Sequence, residues 1–263
     1  MKTSMKLLLA AALVLLASLT AYNMALRAEY RSGTYKDPLH DYTTLSFRNF
    51  TEVEALAAGV VGIRVVAGPY QVRISPQAAK YVRLRQQGSR LVITAAFPNQ
   101  RESPGQATVL ISCPQLNRLT ANAEYAIDGQ PHRDKQEISY AARPVVVQGF
   151  AQDSLSVRQD NASRIELTDN RLGFLRAVAG LTPGNHAGLT LAENNRIAAA
   201  SLTIGHQSEL TINDVEIPKL RYRFGDSAKV TLTGRALRGG VPGFLVPGWE
   251  VRPCEQREAI APE

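Results

Sequence analysis

Two carboxylates stand where a stacked-strand pattern would bring them together. Glu193 follows Leu191 by two residues and Asp214 follows Ile212 by two, in the alignable segments LTLAENNRI and LTINDVEI. On adjacent strands they would lie about 5 Å apart, close enough for one to raise the pKa of the other and serve acid–base chemistry on a polysaccharide. The plainer reading is a pair of solvated turn acids, because no other reactive group converges on them. A second set is basic: Arg83 and Arg85 in YVRLRQ, and Arg221 and Arg223 in RYRFG, alternate with strand-forming residues and so point outward. Each offers a fixed fork of donors to a carbohydrate or a protein, or simply forms the solvated side of a strand. Cys113 and Cys254 match no metal-ligand spacing. In an oxidising compartment they can form one disulfide tying the carboxy-terminal tail to the body, and two unpaired thiols are the other reading. His40, His132, His186 and His206 lack ligand spacing. The chain has no G-x-S-x-G, P-loop or dinucleotide fingerprint, so no metal, cofactor or catalytic residue is expected.

The elements that must position these residues begin with an apolar run. Residues 7–26 (LLLAAALVLLASLTAYNMAL) carry no charge, Lys2 and Lys6 precede them and Arg27 closes them. A helix of that length rises about 30 Å, enough to cross a hydrocarbon core. With no small-x-small cleavage site after it, the run reads as an uncleaved signal anchor rather than a cleaved signal, with the rest of the chain exported to the cell envelope, membrane-anchored, periplasmic or at the surface. The formal charge of +7 is partly this segment's; the remainder holds 27 bases against 23 acids, mostly as single Arg residues between apolar ones, without the basic run or aromatic-interleaved stripe along the chain that phosphate binding needs, so no nucleic-acid partner is expected.

The expected organisation is an anchor over 1–27, a linker over 28–40 (AEYRSGTYKDPLH), a β domain over 41–238 and a tail rich in Pro and Gly over 239–263. In that tail Phe244, Leu245, Val246 and Trp249 favour folding over the end of the domain. From Tyr42 to Phe97 short segments such as GIRVVAG, YQVRIS and RLVITAAF read as strands. Residues 51–58 (TEVEALAA) are the best short helix candidate. Farther on, segments starting at Leu189, Leu210 and Val230 can be laid over one another, a repeat of about 20 residues with Asn170, Asn194, Asn195 and Asn213 near its corners. Leu189, Leu191, Leu210, Ile212, Val230 and Leu232 would form one inward ladder, and Leu202, Ile204, Tyr222 and Phe224 another. The fold class expected is all-β, a right-handed parallel β-helix (a single-stranded solenoid) behind an N-terminal membrane anchor helix. An antiparallel β-sandwich is the alternative.

The opening FRNFTEVEALAAGVVGIRVVAGPYQVRIS, followed by YVRLRQQGSRLVITAAF, resembles the bacterial auto-transporter adhesin head family, also called the GIN domain family. The resemblance spans residues 42–238, without the glycine-serine-glycine turns common in that family's later coils. It implies a β-helical fold in the cell envelope and little about activity. The function expected is therefore a non-enzymatic binding or adhesion-type module whose partner is an envelope protein or a surface glycan. The alternative is a polysaccharide-acting enzyme using Glu193 and Asp214.

Overall fold

The computed structural model describes residues 3–33, 36–99, 108–135, 143–205, 207–225 and 227–238. They fall into two compact units, Met1–Tyr42 and Thr43–Glu263. The first unit is built on α1 (Thr3–Ser32). Its Leu and Val side chains are exposed all round, Leu9, Leu13 and Leu16 among them, which is the pattern of a helix meant for an apolar surrounding. Within Met5–Arg31 an 18-residue window reaches a mean hydropathy of 2.0, and the helix is long and apolar enough to cross a membrane. Its hydroxyls are satisfied within the helix: Ser18 donates to the carbonyl of Val14 and Thr20 to that of Leu16, both at 2.8 Å. Helix α1 continues through residues 28–32, the start of the expected linker, and is followed by Gly33 in the left-handed region at φ 70°.

The second unit is β-structure. Its first half holds β1 (Thr43–Leu45), β2 (Glu52–Ala55), β3 (Gly62–Ala67), β4 (Gln71–Ile74), α2 (Pro76–Tyr81), β5 (Val82–Gln87), β6 (Arg90–Phe97), β7 (Thr108–Cys113), β8 (Arg118–Ala121), β9 (Glu124–Ile127) and β10 (Gln130–Arg133). Its second half holds β11 (Val145–Gln148), β12 (Ala151–Gln159), β13 (Arg164–Thr168), β14 (Arg171–Ala179), β15 (Gly188–Leu191), β16 (Arg196–Ile204), β17 (Glu209–Asn213), β18 (Lys219–Phe224), β19 (Lys229–Thr233) and the short α3 (Arg235–Arg238). A nine-stranded sheet runs β1-β4-β7-β3-β11-β13-β15-β17-β19. A ten-stranded sheet runs β10-β9-β6-β2-β8-β12-β14-β16-β18, with β5 also on β6.

This architecture corrects the expected fold. The chain forms two large mixed sheets rather than a right-handed parallel β-helix closed as a single-stranded solenoid. Antiparallel pairs join β1 to β4, β4 to β7, β5 to β6 and β9 to β10. The antiparallel sandwich is not formed either, since every described pairing from β11 to β19 is parallel. For β5 with β6 and β9 with β10 the physical reason lies in the turns that join them. Gly88, at φ 60°, closes a tight return between Gln87 and Arg90. Asp128 and Gly129, at φ 50° and 72°, do the same between Ile127 and Gln130. Such two-residue turns reverse the chain beside itself, whereas the longer corners of the second half carry it to the other sheet. Residues 51–58 are not helical: Val53 and Ala55 are buried with Glu52 and Glu54 facing the other way, the alternation of β2. The helix of this region is α2 instead, where Ser75 at the N-cap accepts from the Ala78 N–H and Pro76 occupies the first turn.

In the second half the 20-residue offset appears as register. Leu189 pairs with Leu210 and Leu210 with Val230; Leu191 pairs with Ile212 and Ile212 with Leu232. The row extends back through Ile165, Val145, Ile63 and Val109. On the other sheet Leu91, Val53, Leu119, Val157, Ala177, Leu202 and Tyr222 form the matching row. Both rows belong to one hydrophobic core. Asparagines hold the corners. Asn195 accepts from the N–H and the side chain of Asn170 at 3.0 and 3.1 Å and donates to the carbonyls of Leu167 and Ala192 at 2.7 and 2.6 Å. At another corner Asn185 donates to Asn161 at 2.7 Å, and Asn161 donates to Asn122. Residues 239–263, with the expected cap, lie outside the described residues.

Candidate functional site: an arginine face on the ten-stranded sheet

Because Val157, Ala177, Leu202 and Tyr222 face the core, the residues before and after each of them face outward. Two rows therefore cross the strands of the ten-stranded sheet. One reads Arg118, Ser156, Arg176, Ser201, Arg221, and the other Thr120, Arg158, Val178, Thr203, Arg223. Neither row contains an Asp or a Glu. In the first, arginines occupy alternate strands, about 10 Å apart at the usual strand spacing, with a serine between each pair. Arg118, Ser156, Arg158 and Arg176 line one groove of about 600 Å³, whose far end also carries Glu54 and Arg90.

The rows continue onto β2, where the electrostatics change. Glu52 pairs in register with Arg118 and Arg90. Its carboxylate lies 3.6 Å from Arg118 and 3.3 Å from Arg90, and Glu54 lies 3.3 Å from Arg90. From β12 to β18 no such compensation occurs: among the described residues Arg158, Arg176, Arg221 and Arg223 have no carboxylate within ion-pair distance. The outer side of the nine-stranded sheet is built differently, with Glu209 pairing Lys229 in register and Arg164 4.0 Å from the Glu209 carboxylate.

Of the four arginines singled out from sequence, all face outward on this sheet, but they are not one site. Arg83 and Arg85 lie on β5, and β5 is separated from β18 by β6, β2, β8, β12, β14 and β16, about 34 Å at ordinary strand spacing. Arg83 is also engaged locally, donating to the carbonyls of Ala79 and Val82, both at 3.1 Å. The cations between the two ends, Arg90, Arg118, Arg158 and Arg176, went unnoticed in sequence because each is a lone Arg in a segment of loose spacing. Aligning Leu119, Val157, Ala177 and Leu202 on Tyr222 would have found Arg118 and Arg176 on the row of Arg221.

The acid pair goes elsewhere. Glu193 is exposed at a corner, and the half-exposed Asp214 is bound by Arg235: its carboxylate accepts from the Arg235 N–H at 2.8 Å and lies 3.2 Å from the guanidinium. Neither lines the arginine groove or the smaller one beside His132. Cys113 is buried, and burial pushes its thiol up to about 12, outweighing the hydrogen bond near Gln115, so it is a poor nucleophile. Its candidate partner Cys254 lies outside the described residues, as does His206. His132 is held 3.2 Å from Asp134, which also accepts from the Tyr125 hydroxyl at 3.2 Å. Burial, then the Asp134 charge and hydrogen bond, raise the Tyr125 hydroxyl well above its ordinary value.

No model of a known protein family matches the chain, and no curated protein matches it. Similar solved structures include a "putative adhesin" from Bacteroides fragilis (9% identity, TM-score 0.40, covering 73% of this chain and 96% of that one). Another "putative adhesin", from Parabacteroides merdae, has 10% identity and a TM-score of 0.35, covering 74% of this chain and 92% of that one. A "putative lipid binding protein" from Parabacteroides distasonis has 11% identity and a TM-score of 0.31, covering 73% and 94%.

Proposed function

We propose that this chain is an envelope-tethered binding module, non-enzymatic, whose ligand surface is the outer face of the ten-stranded sheet. The observation that carries this reading is the pair of rows from β12 to β18, where Arg158, Arg176, Arg221 and Arg223 stand in register without a carboxylate of the described residues at ion-pair distance, while Arg90 and Arg118 beside them and Arg164 on the other sheet have one. Like charges placed on one face repel, so uncompensated arginines cost stability that a bound anion would recover. Helix α1 would hold the module at a membrane. The test is co-sedimentation of the full-length protein, in detergent, with washed bacterial envelope fragments. Replacing Ser156 and Ser201 by Trp covers the face without touching the core, and this variant is expected to lose retention while the wild type keeps it. Equal retention of both would remove the face from the reading.

A further inference from the structure

We infer that the ligand of this face is a linear acidic polysaccharide lying across the strands, along the row Arg118, Ser156, Arg176, Ser201, Arg221. The inference rests on the binding surface proposed above and assigns its ligand class. The row places an arginine on every second strand, Arg176 and Arg221 without a carboxylate of the described residues at ion-pair distance and Arg118 3.6 Å from that of Glu52, and guanidinium forks match carboxylate geometry with two parallel hydrogen bonds. Between the forks stand hydroxyls, Ser156 and Ser201 in this row and Thr120 and Thr203 in the next, each a donor and an acceptor suited to sugar hydroxyls. A polymer with spaced charges and many hydroxyls complements that alternation. The groove spans β6 to β14 and is open, as a chain passing through requires.

Two other anionic partners fit less well. Single-stranded nucleic acid is held by a series of aromatic platforms on which successive bases stack, and this face offers one exposed ring, Phe174, outside the two rows. An anionic membrane is gripped by basic residues together with large apolar side chains that enter it, and the only apolar side chain in the rows is Val178. One exposed ring, Phe174, lies in the adjoining row with Ser154, Ala199 and Lys219, beside Arg176 along its own strand. It offers an apolar platform to the C–H face of a sugar.

The experiment uses the full-length chain in phosphatidylcholine nanodiscs, with polygalacturonate as the probe and dextran as its uncharged counterpart. Polygalacturonate is expected to bind with an affinity that falls as salt rises, and dextran is expected not to bind. Arg176→Ser with Arg221→Ser should weaken polygalacturonate binding more than tenfold. Arg64→Ser with Lys229→Ser, on the nine-stranded sheet, should change it less than twofold. Dextran binding as tight as polygalacturonate, an unaffected Arg176/Arg221 variant, or tighter binding to phosphatidylglycerol vesicles or to single-stranded DNA would each overturn the assignment. If polygalacturonate fails while envelope fragments still bind in a manner that Trp at Ser156 and Ser201 abolishes, the ligand class is wrong and the surface stands. If both fail, the surface falls with it.

Discussion

Single residues carry the clearest energetic statements. Gln159 points into the core, 1% exposed, and neither its amide nitrogen nor its amide oxygen has a hydrogen-bond partner. A buried polar group left unsatisfied costs about 1–3 kcal/mol, so Gln159→Met, similar in volume and without those atoms, should stabilise the domain by about that amount. The midpoint of urea unfolding reads it directly; an unchanged or lower midpoint contradicts the account. Asn195 is the converse case, because its side chain accepts from Asn170 and donates to two carbonyls on either side of a corner. Asn195→Ala leaves those groups buried and unpaired, and a loss of about 2–4 kcal/mol is expected in the same measurement. Asn170 and Asn195 were readable as corner residues from their types. Gln159 was masked by its polar type, although it continues the inward alternation of Leu155 and Val157.

At the level of elements, the corner after β12 is fastened by a carboxylate. Burial pushes Asp160 up, but hydrogen bonds from the Thr182 hydroxyl and N–H, from Asn185 and from the Asn161 N–H outweigh it and leave its pKa lowered. A lowered folded pKa contributes stability that is present above the ordinary carboxylate value of about 3.9 and is lost as pH falls through the folded value. Thermal unfolding scanned downward from pH 5 should therefore show a destabilising limb that is shallower in Asp160→Asn. A variant with the same slope as the wild type would show that Asp160 is not its source. Strands were the most legible elements: RLVITAAF corresponds to β6 residue for residue, and GIRVVAG and YQVRIS contain β3 and β4. Two errors had visible remedies. Ser75 followed by Pro76 is a helix start, and Asp128-Gly129 is a hairpin turn, both read from residue type alone. TEVEALAA misled because Ala and Glu favour helix locally, while Val53 and Ala55 are claimed by the core between Leu91 and Leu119.

For the molecule as a whole, the amino-terminal helix makes a prediction independent of the β domain. Leu13→Lys with Leu16→Lys places two charges in the middle of the apolar stretch, each costing about 2.5–3.5 kcal/mol at a membrane centre. The wild-type chain should fractionate with membranes after an alkaline carbonate wash, and the double variant should not. Equal retention of the two would show that α1 is not what holds the chain there. What the sequence determined by itself is local: a twenty-residue uncharged run, strands whose inward residues alternate, and a repeat of about 20 residues that places Leu189, Leu210 and Val230 side by side. Those follow from periodicity, which is written along the chain. Sheet architecture and the site were decided by tertiary pairing. Whether a strand turns back beside its neighbour or continues to the other sheet depends on turn backbones such as Gly88 and Gly129. Arg118, Arg176 and Arg221, far apart in the chain, meet only because β8, β14 and β18 share one register.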